Sequence, residues 1–286
     1  METYNDVYLR VRKQLKAAGV ESPELEARLI ISKAAGRSRE EILAMNKVYA
    51  SDKKINETIA LFLDNRIGGE PLAYVLGEWE FYGLPIIVNK YVMIPRIDTE
   101  LLVSEAIKLL NSKVWQTRML DLCTGSGCIG IAVAANVKDC RIVCADNSEE
   151  ALAVCRANML ASNLSRNITA IEADALKAPP ALLGNFDLIV SNPPYIPSKN
   201  IDNVDSSVID YEPHEALFGG EDGLDFIKSI TEKWKKLLKP GGHLALECGI
   251  DQAAEVRYIM KKNGFMDIKI YKDTLGIERV LTGRIK

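Results

Sequence analysis

Apolar residues over the first 75 positions recur at helical spacing, and nothing there alternates as a strand would. Ile55, Ile59, Phe62 and Leu63 fall on one helical face. Ser22-Pro23-Glu24 marks a helix start with proline at the first helical position, and Gly36 supplies the stop. Ser38-Arg39-Glu40-Glu41 has the form of a capping box and opens the next helix. Gly68-Gly69-Glu70-Pro71 then breaks the pattern. Residues 80–89 predict a hairpin that turns at Gly83.

From about Asp98 the pattern changes to alternating strand and helix. Short apolar runs at 119–123, 141–145, 168–172, 187–191, 243–247, 267–271 and 278–281 predict strands. Helical patterns lie near 128–137, 148–162, 223–238 and 251–263. The alternation predicts an α/β fold with a doubly wound, mostly parallel, Rossmann-like sheet. The last two strands have no helix between them, so an antiparallel edge hairpin is expected. The chain therefore divides into a small all-helical domain at 1–75, a β-hairpin linker at 76–97 and an α/β domain at 98–286. Residues 196–221 form a long stretch without periodicity, which predicts a lid facing the substrate.

One strand ends in an unusual way. Leu188 to Val190 reads as a buried parallel strand, and it runs directly into Asn192-Pro193-Pro194-Tyr195. Two prolines cannot continue a ladder, so the strand stops there. An amide, a rigid proline pair and an aromatic ring are left at a strand's carboxyl end, where open α/β sheets bind ligands. This cluster is suited to holding a planar, amide-like nitrogen against a ring while fixed acceptors bond its hydrogens. The Asn192 side-chain oxygen and the Pro193 carbonyl can be those acceptors, with the Tyr195 ring against the planar group.

A glycine-rich turn follows the first strand of the α/β domain, in Asp121-Leu122-Cys123-Thr124-Gly125-Ser126-Gly127-Cys128-Ile129-Gly130. Gly125 to Gly130 spell the dinucleotide fingerprint. Two residues argue against a dinucleotide. Asp121 would repel a pyrophosphate, whereas a carboxylate there can meet a cationic amino group. Asn192-Pro193-Pro194-Tyr195, in turn, has no role in hydride transfer. An acid before a glycine turn suits S-adenosylmethionine, whose methionine part carries an ammonium. Asp146 ends the second strand, 19 residues after Gly127, a spacing that places a carboxylate on ribose hydroxyls. A helix cap is the competing role for Asp146. Asp174, after the third strand, has two candidate roles: accepting from an adenine amino group, or capping its loop.

Composition narrows the class further. The 286 residues carry 36 Lys plus Arg against 39 Asp plus Glu, an acidic balance that disfavours direct nucleic-acid binding. The six cysteines form no CxxC pair and only two histidines occur, so no metal site is expected. Cysteines in apolar stretches suit a reducing cytoplasm. No run of about 18 apolar residues appears, so no membrane association is expected, and the first residues lack signal-peptide character.

Together these residues resemble the PrmC/HemK family, the peptide chain release factor glutamine methyltransferases. Ile94-Pro95-Arg96-Ile97-Asp98-Thr99-Glu100 is similar to a family segment, as are the cofactor loop from Asp121 to Gly127 and Asn192 to Tyr195. Glu212-Pro213 and the stretch from Ala216 to Asp225 match the lid segment. The resemblance implies a class I methyltransferase that uses S-adenosylmethionine and methylates the glutamine of the Gly-Gly-Gln motif in release factors. It implies that Thr124, Gly125, Gly127 and Asp146 bind the cofactor, with Cys123 and Ser126 in the same loop, Asp121 and Asp174 beside it, and Asn192 bordering it. Asn192, Pro193, Pro194 and Tyr195 would hold the target glutamine, and the helical domain would dock the protein substrate. Cys123 stands where the family loop usually has glycine, and Ile97 where it usually has proline. Four rivals remain: a ribosomal-protein glutamine methyltransferase, a DNA amino-methyltransferase, a dinucleotide-dependent oxidoreductase and a non-enzymatic nucleotide sensor.

Overall fold

The computed structural model describes residues 2–113 and 115–286. By contacts the chain divides into two units, Met1–Glu78 and Trp79–Lys286. The first holds α1 (Tyr4–Ala17), α2 (Pro23–Ala35), α3 (Arg39–Ala44), α4 (Lys53–Ile67) and α5 (Leu72–Leu76). Val7, Val11, Leu15, Ile30, Ile31 and Ile59 are fully buried between these helices. Helix ends follow local chemistry. Ser38 and Glu41 make the reciprocal capping box that opens α3, and Gly36 ends α2 in the left-handed region at φ 62°. Ser22 differs from expectation, since its side chain makes no cap bond; its carbonyl still accepts from Glu26 N–H. α5 was not expected. The break at Gly68–Pro71 is real, but the five apolar residues after it are all buried and fold into one more turn.

Next along the chain is a hairpin, β1 (Glu78–Phe81) and β2 (Leu84–Ile87). Tyr82 and Gly83 at its turn both have positive φ, 53° and 73°, the pattern of a two-residue hairpin turn. There follow α6 (Thr99–Asn111), β3 (Thr117–Leu122), α7 (Cys128–Asn136), β4 (Cys140–Asp146), α8 (Glu149–Ala161) and β5 (Ile168–Glu172). β6 (Phe186–Ser191), α9 (Ser206–Ile209), α10 (Asp225–Lys233), β7 (Leu238–Glu247), α11 (Ala253–Lys262), β8 (Met266–Lys272) and β9 (Glu278–Arg284) complete the chain.

The seven strands β3 to β9 make one sheet in the order β5-β4-β3-β6-β7-β9-β8, parallel except for β9. The terminal hairpin is antiparallel as expected, but β9 enters between β7 and β8. Its Val280 and Leu281 are fully buried, whereas β8 carries Lys269 and Lys272 at the edge. Lysines on an edge strand discourage further pairing. α6 was also not expected, although Leu102, Val103, Ala106 and Leu110 line its buried face. It precedes the first strand, so strand–helix alternation does not require it. No helix among the described residues is long and apolar enough to cross a membrane.

The strand order reverses direction at β3, which lies between β4 and β6. Ligands of such sheets bind at the carboxyl ends there. Asn158 of α8, 2% exposed, connects this point to the hairpin. It accepts from Ile87 N–H at 2.7 Å and donates to Ile87 O at 2.9 Å and Ser126 O at 3.0 Å. Asn158→Ala strands these partners, and a loss of about 2–3 kcal/mol is expected. Urea unfolding checks it: the midpoint falls while the slope stays constant. An unchanged midpoint contradicts the bracing role.

Candidate active site

The turn after β3 is made by local backbone geometry. Cys123 takes φ 58°, then Gly125 φ 53° and Gly127 φ 80°, so the chain doubles back and starts α7 at Cys128. Cys123 therefore follows the left-handed path a glycine would take, at a strain of about 1–2 kcal/mol. Burial holds its thiol far above the ordinary cysteine pKa, so it stays protonated and unreactive.

Asp121 holds this turn from inside. It is fully buried, and its Oδ2 accepts from Thr124 Oγ1 at 2.6 Å and Gly130 N–H at 3.0 Å. Burial pushes its pKa up to about 7, against those two hydrogen bonds. Among the described residues its Oδ1 has no hydrogen-bond partner. Gly130 must be small because a Cβ there would lie 2.6 Å from Cys144 Sγ on β4.

Asp146 ends β4 beside the same turn. Gly125 N–H donates to its Oδ2 at 2.8 Å and Ser148 N–H to its Oδ1 at 3.1 Å. Ser148, not Asp146, caps α8, accepting from Ala151 N–H at 3.1 Å. Burial raises the Asp146 pKa, and the Gly125 and Ser148 N–H groups oppose that rise.

β6 ends beside β3, where Ser191 Oγ donates to Leu122 O at 2.7 Å. Asn192 follows, and its Nδ2 donates to Thr99 Oγ1, the first residue of α6, at 3.1 Å. Among the described residues no protein group donates to Asn192 Oδ1. Tyr195 donates its hydroxyl to Glu247 Oε1 at 3.3 Å, and its carbonyl accepts from Gln252 Nε2 at 3.0 Å.

The stretch 196–221 is an ordered loop of short helical turns, closed at its base. Ile196 N–H donates to Leu217 O and Gly219 N–H to Ile196 O, each at 3.0 Å. Two glycines let it lie on the proline motif: a Cβ on Gly219 would be 2.4 Å from Pro194 O, and one on Gly223 2.2 Å from Tyr195 O. Glu212 is buried in this loop, where it pairs with the Arg96 guanidinium and accepts from Ile94 N–H at 3.2 Å.

These elements line an open cleft. Of the residues expected from the sequence, Cys123, Thr124, Gly125, Ser126, Asp146, Asn192 and Pro194 line it. Asp121, Gly127, Asp174, Pro193 and Tyr195 do not. The reasons are visible. Asp121 turns inward to Gly130, so it does not reach a ligand's amino group from the wall. Gly127 backs onto α8, where a Cβ would meet Cys155 Sγ at 2.6 Å. Asp174 accepts from Leu176 N–H at 2.8 Å and pairs with Lys177, so its side chain is occupied in capping its loop. Pro193 is buried, and Tyr195 gives its hydroxyl to Glu247. Pro213, Glu215 and Ala216 bring the loop to the cleft wall, and Thr99 lines it next to Asn192.

Thr99 and Glu247 are site residues that the sequence reading did not single out. Thr99 lies within the family-like segment 94–100. The signal for Glu247 is a carboxylate ending an otherwise apolar strand next to the switch point.

Known proteins bear on this site. Residues 6–77 match the family model described as PrmC N-terminal domain, and residues 97–215 the one described as Methyltransferase small domain. A release factor glutamine methyltransferase of Clostridium acetobutylicum is 36% identical over 276 residues, 96% of this chain and 96% of that protein. One from Geobacter sulfurreducens is 38% identical over 280 residues, 96% of this chain and 94% of its own. Among solved structures, a methyltransferase from Pyrococcus furiosus superposes with a TM-score of 0.51 at 19% identity, covering 80% of this chain and 98% of its own. That likeness concerns the fold alone.

The packing of Gly130 gives a direct test of the loop. Gly130→Ala should destabilise the protein by about 1–3 kcal/mol through overpacking against Cys144. In a Cys144→Ala background most of that cost should vanish, a coupling that a double-mutant cycle in thermal or urea unfolding reads out. Equal costs in both backgrounds contradict the contact.

Proposed function

The chain belongs to the release factor glutamine methyltransferase family, and we propose that it methylates the side-chain amide nitrogen of the glutamine in the Gly-Gly-Gln motif of peptide chain release factors. The observation that carries this reading is Asn192. Its Nδ2 is tied to Thr99, so the amide presents its oxygen, an acceptor, at the cleft.

The cleft wall fits S-adenosylmethionine. Asp146 offers each carboxylate oxygen with lone-pair capacity beyond its one backbone N–H, enough to accept from ribose hydroxyls. The backbone from Cys123 to Gly125 lies bare of large side chains where the methionine part would approach. Asp121 acts from behind by fixing Thr124 and Gly130, and not as a contact. When bound, the cofactor supplies an electrophilic methyl group on its sulfonium.

The residues of the chain do the rest. An amide nitrogen is a weak nucleophile because its lone pair is delocalised into the carbonyl. Asn192 Oδ1 accepts one N–H of the target glutamine, and the Pro193 carbonyl is assigned the other. These bonds orient the nitrogen and stabilise the positive charge that develops on it. No strong base is required, since the nitrogen sheds its proton after attack. Holding both reactants in line supplies much of the acceleration. Pro194 forms a rigid wall, and Tyr195 anchors the motif through Glu247 and Gln252. Pro213 and Ala216 bring the loop to the cleft wall. The helical unit is assigned to docking the release factor. All six cysteines are unpaired, which suits the reducing cytoplasm where translation factors act.

Two substitutions separate cofactor binding from transfer. Asp146→Ala removes a charge-assisted acceptor and should weaken cofactor affinity by about 1.5–3 kcal/mol in calorimetric titration. A lowered melting temperature with unchanged affinity contradicts the ribose role. Asn192→Ala should keep cofactor affinity yet lower turnover on a release factor about a hundredfold to a thousandfold. The wild-type protein is assayed in parallel on ribosomal protein and DNA. Faster transfer to either of these than to the release factor refutes the assignment of substrate.

A further inference from the structure

Charge inside the cleft has one sign. Among the described residues that line it, Asp146 and Glu215 are the charged ones, and no Lys, Arg or His joins them. We propose that Glu215 is a specificity-determining residue that makes the cleft hold the cationic methyl donor more tightly than the product left after transfer, whose sulfur is uncharged. This rests on S-adenosylmethionine as the donor and is independent of which nitrogen receives the methyl group.

The two carboxylates differ in how they are occupied. Asp146 takes Gly125 N–H and Ser148 N–H, at 2.8 and 3.1 Å. Glu215 is exposed on the loop and has no ion-pair or hydrogen-bond partner among the described residues. Cations close to the cleft wall in the chain are engaged elsewhere. Arg96 pairs with Glu212, His214 Nε2 donates to Ile209 O at 2.8 Å, and Lys90 Nζ stands 5.2 Å from the centroid of the Tyr91 ring. The backbone that carries Glu215 is well defined. Ala216 N–H donates to Pro213 O at 2.9 Å and Leu217 N–H to His214 O at 3.0 Å, and Leu217 is buried. Burial is the main cause that raises the Asp146 pKa, and the Glu215 charge adds to it, as expected of two carboxylates that share one cleft.

An unpaired negative charge distinguishes ligands by their net charge. In the transfer the sulfur–methyl bond breaks as the carbon–nitrogen bond forms. The bonding pair stays on sulfur, and the acceptor nitrogen sheds its proton. The sulfonium thereby becomes a neutral thioether. Donor and product share the ribose, the adenine and an ammonium–carboxylate pair whose charges cancel, so Asp146 contacts both alike. Only the donor carries a net positive charge for Glu215 to attract. The attraction is lost with the methyl group, so spent cofactor leaves and fresh donor replaces it.

The test measures affinities of the full chain for S-adenosylmethionine and S-adenosylhomocysteine by calorimetric titration, without release factor, in the wild type, Glu215→Gln and Glu215→Lys. Glu215→Gln should weaken donor binding about three- to tenfold and change product binding less than about twofold. Glu215→Lys should extend the loss for the donor alone. Raising salt from about 0.05 to about 0.5 M should narrow the wild-type preference for the donor more than that of Glu215→Gln, because salt screens the carboxylate. An equal loss for both ligands means a structural role for the loop residue and overturns the proposal, as does unchanged donor affinity in both variants. Wild-type protein that binds neither ligand overturns it together with the cofactor. A donor-selective loss in a protein that transfers no methyl to a release factor supports the role of Glu215 and refutes the substrate assigned above.

Discussion

The Asp121 carboxylate sits buried between β3 and α7, and it can do so because Thr124 and Gly130 come in to bond it. A buried carboxylate costs heavily unless such donors converge on it. That requirement sets the course of the glycine turn, and much else follows. Thr124 is held against β4, where its N–H donates to Ala145 O. Gly125 N–H meets Asp146, and α7 starts with Gly130 flush against Cys144. Ser126 O is left for Asn158, which in turn holds the hairpin. One inward-facing acid thus arranges the wall of the cleft without lining it.

The other wall is a second rigid unit. Pro193 and Pro194 remove two backbone donors and fix two φ angles. The strand end then depends on neighbours for definition. Gly219 and Gly223 let the loop backbone lie on the Pro194 and Tyr195 carbonyls, and Gln252 bonds the Tyr195 carbonyl. Glu212 ties the loop to residues 94–96, whose continuation brings Thr99 to Asn192. The loop is therefore structural support for the asparagine as well as cover for the cleft.

Much of this was legible in the sequence because it rests on local chemistry. Ser38 with Glu41, Gly36, the turn at Gly83 and the strand stopped at Asn192 each reveal themselves within a few residues. What escaped depends on distance or on side-chain direction. The insertion of β9 beside β7 is a choice between strands that local pattern does not encode. Asp121 was correctly placed near the glycine turn, but its inward aim follows from strand alternation and from Gly130, nine residues on. Asp174 bonds Leu176 N–H and pairs with Lys177, and it does not line the cleft. Thr99 meets Asn192, 93 residues on, and Glu247 meets Tyr195, 52 residues back, and nothing in the local sequence signals either pairing.

The central claim is that a fixed acceptor at a strand end directs methyl transfer to one amide nitrogen. It is tested most directly by incubating the purified protein with isotopically labelled S-adenosylmethionine and a release factor, then mapping the label by fragment mass spectrometry. One methyl group is expected, on the side-chain nitrogen of the glutamine in Gly-Gly-Gln. Label on a lysine, on a terminal amine or on a carboxylate of the same substrate would contradict it.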